Sequence, residues 1–290
     1  MTGQDLMQRI QKNVGVPWQS QRTDGDADGI YLGKPETVVT GIATSYAATV
    51  EVMRRAVASG KNTIICREAP FYSRGERAPI GYRNAPAPPK EVIENDPVCL
   101  FKKDFISQNN LLIVHLVDNW DARTTNGQVS GLAHSLGWEQ YSANKAGEYP
   151  AAFGFFQPPQ TSLGALVRSV SEKLKIRGTR VIGDASSPVR SVALSPGLLL
   201  VARAEQILRT QPVDVVIAGD AVEWEAGPYF QDLVNAKKAK GLVLLGNEAS
   251  EEPGCGQMAT WLKTFITEVP VDWIPAGEPF WTLRSERGAQ

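Results

Sequence analysis

Short runs of aliphatic and β-branched residues, each followed by an amphipathic stretch, recur along this chain and constrain its fold more than any other feature. Asn62-Thr63-Ile64-Ile65-Cys66, Leu111-Leu112-Ile113-Val114-His115, Val213-Asp214-Val215-Val216-Ile217 and Leu242-Val243-Leu244-Leu245 are too short for buried helices. They read as strands, and a further strand is expected at Val38–Ile42 and a last one at Val269–Ile274. Between them lie helical patterns. Thr2 to Val14 opens with a Thr2-x-x-Asp5 capping pattern and places Leu6, Met7, Ile10 and Val14 on one face. Ala47–Ser59 closes at Gly60, and Pro97–Gln108, Leu163–Leu174, Leu198–Arg209, Glu223–Lys238 and Glu252–Phe265 follow. Gly15 to Lys34 reads as loop, and short strands flank a turn at Gly183–Val189. Strand and helix alternating in this way form βαβ units with parallel strands and right-handed crossovers, so the fold class is α/β.

A chain of 290 residues exceeds one average domain, and two are expected. Basic and acidic residues nearly balance, at 30 against 31, without a basic stripe interleaved with aromatics, which argues against a nucleic-acid partner. No apolar run approaches the roughly 18 residues a membrane-spanning helix needs. Cys66, Cys99 and Cys255 are odd in number and far apart, against a disulfide framework or a thiolate zinc cluster. A reducing, cytoplasmic setting fits that usage, although a leader trimmed beforehand would leave no mark.

Polar residues cluster where three of the expected strands end. Arg67-Glu68 follows Cys66, Asp118-Asn119-Trp120-Asp121 follows Val117, and Asn247 with Glu251 follows Leu245. Carboxyl ends of strands in open α/β sheets are where ligands bind. Each cluster taken singly is also an ordinary loop, and Ser250-Glu251-Glu252 is equally a helix start. His115 shares a strand face with Val117, and reads either as a displaced ligand or as a half-buried structural histidine. His134 reads as a helix-surface residue, and Cys66 as a packed thiol whose side chain alternates away from Arg67. Glu223 and Glu225 flank Trp224 at a strand-to-helix junction. The sequence contains no Gly-x-Gly-x-x-Gly loop, Walker motif or nucleophile elbow.

Taken together, several segments resemble the Nif-three-like family, whose members are labelled GTP cyclohydrolase type two homologues or dinuclear metal centre proteins. The resemblance is carried by Gly41-Ile42-Ala43-Thr44, Ile65-Cys66-Arg67-Glu68-Ala69-Pro70-Phe71-Tyr72, Val117 to Ala122 and Leu136-Gly137-Trp138. Ala218-Gly219-Asp220, Gly246-Asn247, Ser250-Glu251-Glu252 and Ile274 to Trp281 extend it to nearly the whole chain. It implies two α/β domains with mixed sheets and a cleft between them. Residues 1–125 and 240–290 would form an outer domain and 126–239 an inserted one. It also implies a homo-oligomer, commonly a ring-shaped hexamer.

The family's two metals are held by histidines and carboxylates, and here every imidazole of the motifs is missing. The family's first pair falls on Arg67 and Glu68, its aspartate on Asp121, the histidine four residues earlier on Val117, and its late histidine and glutamate on Asn247 and Glu251. Glu68, Asp121, Glu251 and Asn247 could still offer oxygen donors to a magnesium-like ion, which would suit a metal-dependent hydrolase. A guanidinium cannot ligate, so Arg67 favours instead a metal-free protein without a cofactor. On that reading Arg67, Tyr72, Asp118, Asn247 and Glu223 are the candidates for holding a small anionic ligand, and no catalytic residue is assigned.

Overall fold

The structure, a computed structural model, describes residues 1–19, 28–71, 95–144 and 152–280. The chain forms two compact units. One comprises Met1–Arg123 and Cys255–Ala276, and the other begins at Thr124, runs to Gly254 and resumes at Gly277.

In the first unit α1 (Gly3–Asn13) begins with the expected capping box. Thr2 N–H donates to Asp5 Oδ2 at 2.8 Å, and Asp5 N–H to Thr2 Oγ1 at 3.2 Å. Then come β1 (Gly29–Leu32), β2 (Ile42–Ala47), α2 (Val50–Ala58), β3 (Thr63–Glu68), α3 (Pro97–Gln108), β4 (Leu112–His115) and the single turn α4 (Asp118–Asp121). With β12 (Val271–Trp273) they build a sheet in the order β1-β4-β3-β2-β12, parallel except for β1. Alternate residues along β4 and its lead-in residue Leu111 serve opposite faces: Leu112 and Val114 pack with Leu6 and Ile10, Leu111 and Ile113 with Val52, Met53 and Ile106. Burying each such side chain stabilises the fold by about 1.5–3 kcal/mol, which explains why these strands are apolar throughout.

The second unit repeats the plan. It contains α5 (Gly127–Leu136), β5 (Gly154–Phe156), β6 (Thr161–Ser162), α6 (Leu163–Leu174), β7 (Arg180–Gly183), β8 (Pro188–Val189) and β9 (Val192–Leu199). α7 (Val201–Thr210), β10 (Val215–Ala221), α8 (Glu223–Asn235) and β11 (Gly241–Leu244) follow. Its sheet order is β5-β9-β10-β11-β7, with a parallel centre and two antiparallel edges, and β6 pairs separately with β8. The unit boundary near residue 254 falls inside α9 (Asn247–Leu262).

Several elements depart from the sequence expectation, each for a local reason. The strand expected at Val38–Ile42 starts only at Ile42, and Val38 is exposed, bridging Thr2. β1 lies within the expected loop Gly15–Lys34, because pairing with β4 supplies what its short sequence does not announce. β9 was hidden by Pro196 and Gly197. The backbone accommodates them with φ +79° at Gly197 and a register shift against β10. The compact units divide the chain after residues 123, 254 and 276, against expected boundaries after 125 and 239. β11 lies between β10 and β7, which keeps 240–254 in the second unit.

α5 approaches the backbone of α9 at a glycine. A Cβ on Gly131 would lie 2.5 Å from the carbonyl oxygen of Pro253 and 2.6 Å from the amide of Gly254. Alanine would gain up to about 1 kcal/mol of helix propensity, but overpacking against rigid backbone costs about 1–3 kcal/mol. Gly131→Ala therefore lowers the urea midpoint of unfolding; an unchanged or higher midpoint would show that the helices can part.

Candidate functional site

The first unit brings together two of the three strand-end clusters. Arg67 and Glu68 end β3, and Asp118 and Asp121 bound α4, which follows β4 directly. Because β3 and β4 are parallel neighbours with Cys66 opposite His115, their chain continuations emerge side by side. Arg67 reaches across to Asp121: Nη1 donates to Oδ1 at 3.0 Å and Nη2 to Oδ2 at 2.9 Å. Both side chains are largely out of solvent, at 11% and 28% exposure. This is the fork-to-fork arrangement that a guanidinium makes with a carboxylate and that a lysine cannot reproduce. Glu68 is half-buried beside it, as is Asp118. Tyr72 lies outside the described residues.

α4 is held by a residue that the sequence reading passed over. The Asp28 carboxylate accepts the amides of Val117 at 2.7 Å, Asp118 at 3.3 Å and Asn119 at 2.8 Å, and the Asn119 Nδ2 at 2.8 Å. The Asp28-Gly29 pair before β1 is the only trace of this in the sequence.

The third cluster belongs to the second unit. Gly246 has φ +96° and ends the β11 connection, and α9 starts at once with Asn247, earlier than the expected Glu252. Asn247 Nδ2 donates to Glu251 Oε2 at 3.2 Å, one helical turn on. Ser250 Oγ accepts the Gly197 amide at 2.9 Å and donates to the Asn247 carbonyl at 2.7 Å. A Cβ on Gly197 would lie 2.7 Å from Glu251 Oε1, so the buried carboxylate rests against bare backbone. Glu248 is the strained member: burial, then repulsion from Glu252 and Glu278, pushes its carboxyl up to about 7.

The other sequence candidates lie elsewhere. Glu223 is exposed at the start of α8 and pairs with Arg180, which also donates to Asp220. His134 pairs with Glu139 on the surface. Cys66 is fully buried, its thiol pushed to about 12 by burial, and it is packed in the core. His115 is buried and lies 3.8 Å from Asp28.

These residues do not fit a dinuclear transition-metal centre. Among the described residues, no three of His, Cys, Asp and Glu are grouped to hold an ion. Arg67 covers both oxygens of Asp121, and Asn247 turns its amide nitrogen, a donor, toward Glu251.

The Duf34/NIF3 (NGG1p interacting factor 3) family matches residues 1–274. The chain belongs to that family. The fold is shared with Staphylococcus aureus protein SA1388, 16% identical with TM-score 0.72 over 98% of this chain and 99% of that one. It is shared also with protein ybgI, described as of unknown function, 18% identical with TM-score 0.70 over 97% and 100%. A Bacillus cereus protein related to NIF3 is 13% identical with TM-score 0.67 over 98% and 99%. A search of curated proteins found no match. Among the described residues, no helix of this NIF3-family protein is long and apolar enough to cross a membrane.

Glu248 generates a pH-dependent prediction. Its folded value of about 7 lies above the ordinary 4.5, so ionisation opposes folding. The penalty is absent below pH 4.5, grows as pH rises to about 7 and is constant beyond. After discount for partial exposure, Glu248→Gln stabilises the protein by about 1–2 kcal/mol at pH 8 and by nothing at pH 4, measured by urea unfolding.

Proposed function

We propose that this NIF3-family protein works without the family's two metals, as a ligand-binding protein rather than a metal-dependent hydrolase. The observation that carries this reading is the double hydrogen bond from Arg67 to Asp121. A divalent ion bound by Asp121 would have to break both bonds and remain beside a fixed positive charge. At 4 Å and an effective dielectric near 20, that repulsion is about 8 kcal/mol, the doubled value for two unit charges. The guanidinium instead supplies the positive charge that a metal would bring, without its Lewis acidity or its bound water.

The same pair bears on the ligand. A carboxylate or phosphate that docks on Arg67 has to displace Asp121 from the fork, so an anionic ligand binds by exchange for an internal carboxylate. Asp118 and Glu68 nearby add negative charge and disfavour anions that cannot reach the guanidinium.

Elemental analysis of protein produced in medium supplemented with zinc, manganese, iron and magnesium tests the reading. The expected result is well under one transition-metal ion per chain. Arg67→His frees Asp121 from the guanidinium and places an imidazole between it and Glu68, and is expected to raise bound metal at least several-fold. Stoichiometric metal on the unaltered protein would overturn the proposal.

A further inference from the structure

At the junction of β4 and α4 lie a buried histidine, His115, and a buried carboxylate, Asp28, to which the proposed function assigns no role. His115 is 3% exposed, and its Nδ1 has no hydrogen-bond partner. It lies 3.8 Å from Asp28 Oδ1, on a side chain with no exposure at all. The gap is about 1 Å beyond a hydrogen bond.

What fills Asp28 instead decides the matter. A carboxylate offers about four lone-pair sites. Asp28 Oδ1 accepts Val117 and Asp118, and Oδ2 accepts the backbone and side-chain nitrogens of Asn119, so all four are in use. A protonated His115 would carry N–H on both ring nitrogens and direct a charged donor at Oδ1. That donor can be accommodated only at the expense of an existing one. The Asp118 amide, at 3.3 Å the longest of the four, is the one to yield.

The surrounding titratable groups leave this exchange to His115. Cys66, opposite His115 on β3, keeps a neutral thiol, since burial holds it near 12. β1 presents only Gly29 opposite His115. Lys102, on α3, donates through Nζ to the carbonyl oxygen of Pro70 at 2.6 Å, and with Glu68 it exerts its charge on Cys66. Among the described residues, α4 adds Asp118 and Asp121, the latter tied to Arg67.

We infer that His115 and Asp28 form a buried proton-responsive couple in which protonation of His115 withdraws Asp28 from the first turn of α4, loosening the segment that presents Asp118 and Asp121. Neutral His115 leaves the turn clamped. The couple links pH to the mobility of the site and stands whether or not a cation or anion ever occupies it.

The chain has two histidines, which makes the test direct. In Asn-, Asp- and Val-assigned amide spectra of His134→Gln, whose sole ring signal is His115, the amides of Val117, Asp118 and Asn119 are expected to shift along the same pH curve as that ring. The Asp118 amide should also exchange with solvent at least about tenfold faster on the acid side. In His115→Gln the shared curve disappears and exchange at Asp118 stays at its high-pH rate. A ring that titrates without moving these amides, or amides that keep their curve in His115→Gln, would overturn the inference. His115→Asn serves as the second variant should the glutamine fail to fold.

Discussion

A carboxylate removed from water must be neutralised or saturated with donors, and much of this structure is arranged around that requirement. Asp121 is neutralised by the fork of Arg67. Asp28 is saturated by four nitrogens. Buried Lys61 is the converse case: its ammonium pairs with the exposed Asp272 on the edge strand β12 at 2.8 Å, and that bond holds the Asp272 carboxyl below the usual range. Glu248 obtains neither remedy, and its carboxyl retreats toward the neutral form instead. These cases differ in what the neighbouring backbone can offer. Where a strand ends in a turn, free amides point outward and one aspartate can gather them; where it continues into a side-chain cluster, a guanidinium is needed.

The sheets set these possibilities. Parallel strands send their carboxyl ends to the same edge, so residues after β3 and β4 become neighbours although 54 positions separate Arg67 from Asp121. The approach depends on small residues elsewhere. Gly131 lets α5 meet the backbone of α9, and Gly197 leaves room for the Glu251 carboxylate. Each is a position where an otherwise favourable methyl group would occupy the space of a backbone atom or a charge.

Legibility from sequence followed the same division. The capping box at Thr2 and Asp5, the Asp96 cap of α3 and the apolar centres of β3, β4, β10 and β11 are local properties, and the sequence displays them. β1 and β9 owe their existence to partners, and neither a four-residue run nor a stretch broken by Pro196 and Gly197 declares itself alone. The departure of Arg67 from an imidazole position was visible in the residues, but its commitment to Asp121 was not, since it depends on geometry at hydrogen-bond resolution. Asp28 illustrates the limit most clearly. An aspartate before a glycine in a loop has many uses, and only the position of the β4–α4 junction selects one.

Exchanging an imidazole for a guanidinium alters more than metal affinity. An imidazole is a neutral ligand near pH 7 and leaves the charge of a site to the ion that binds it, so such a site is reversible and responds to metal supply. A guanidinium is permanently charged and covalently attached, so the Asp121 carboxylate is satisfied as soon as the chain folds. On the metal-free reading proposed above, ion availability does not regulate the site, and its remaining degrees of freedom are those of the segment carrying Asp121. That segment is clamped through Asp28 rather than through Arg67, because three backbone amides and the Asn119 side chain bond to one fixed carboxylate, whereas the guanidinium restrains only a side-chain tip. Control over such a site therefore shifts from its charged face to the buried residues behind it.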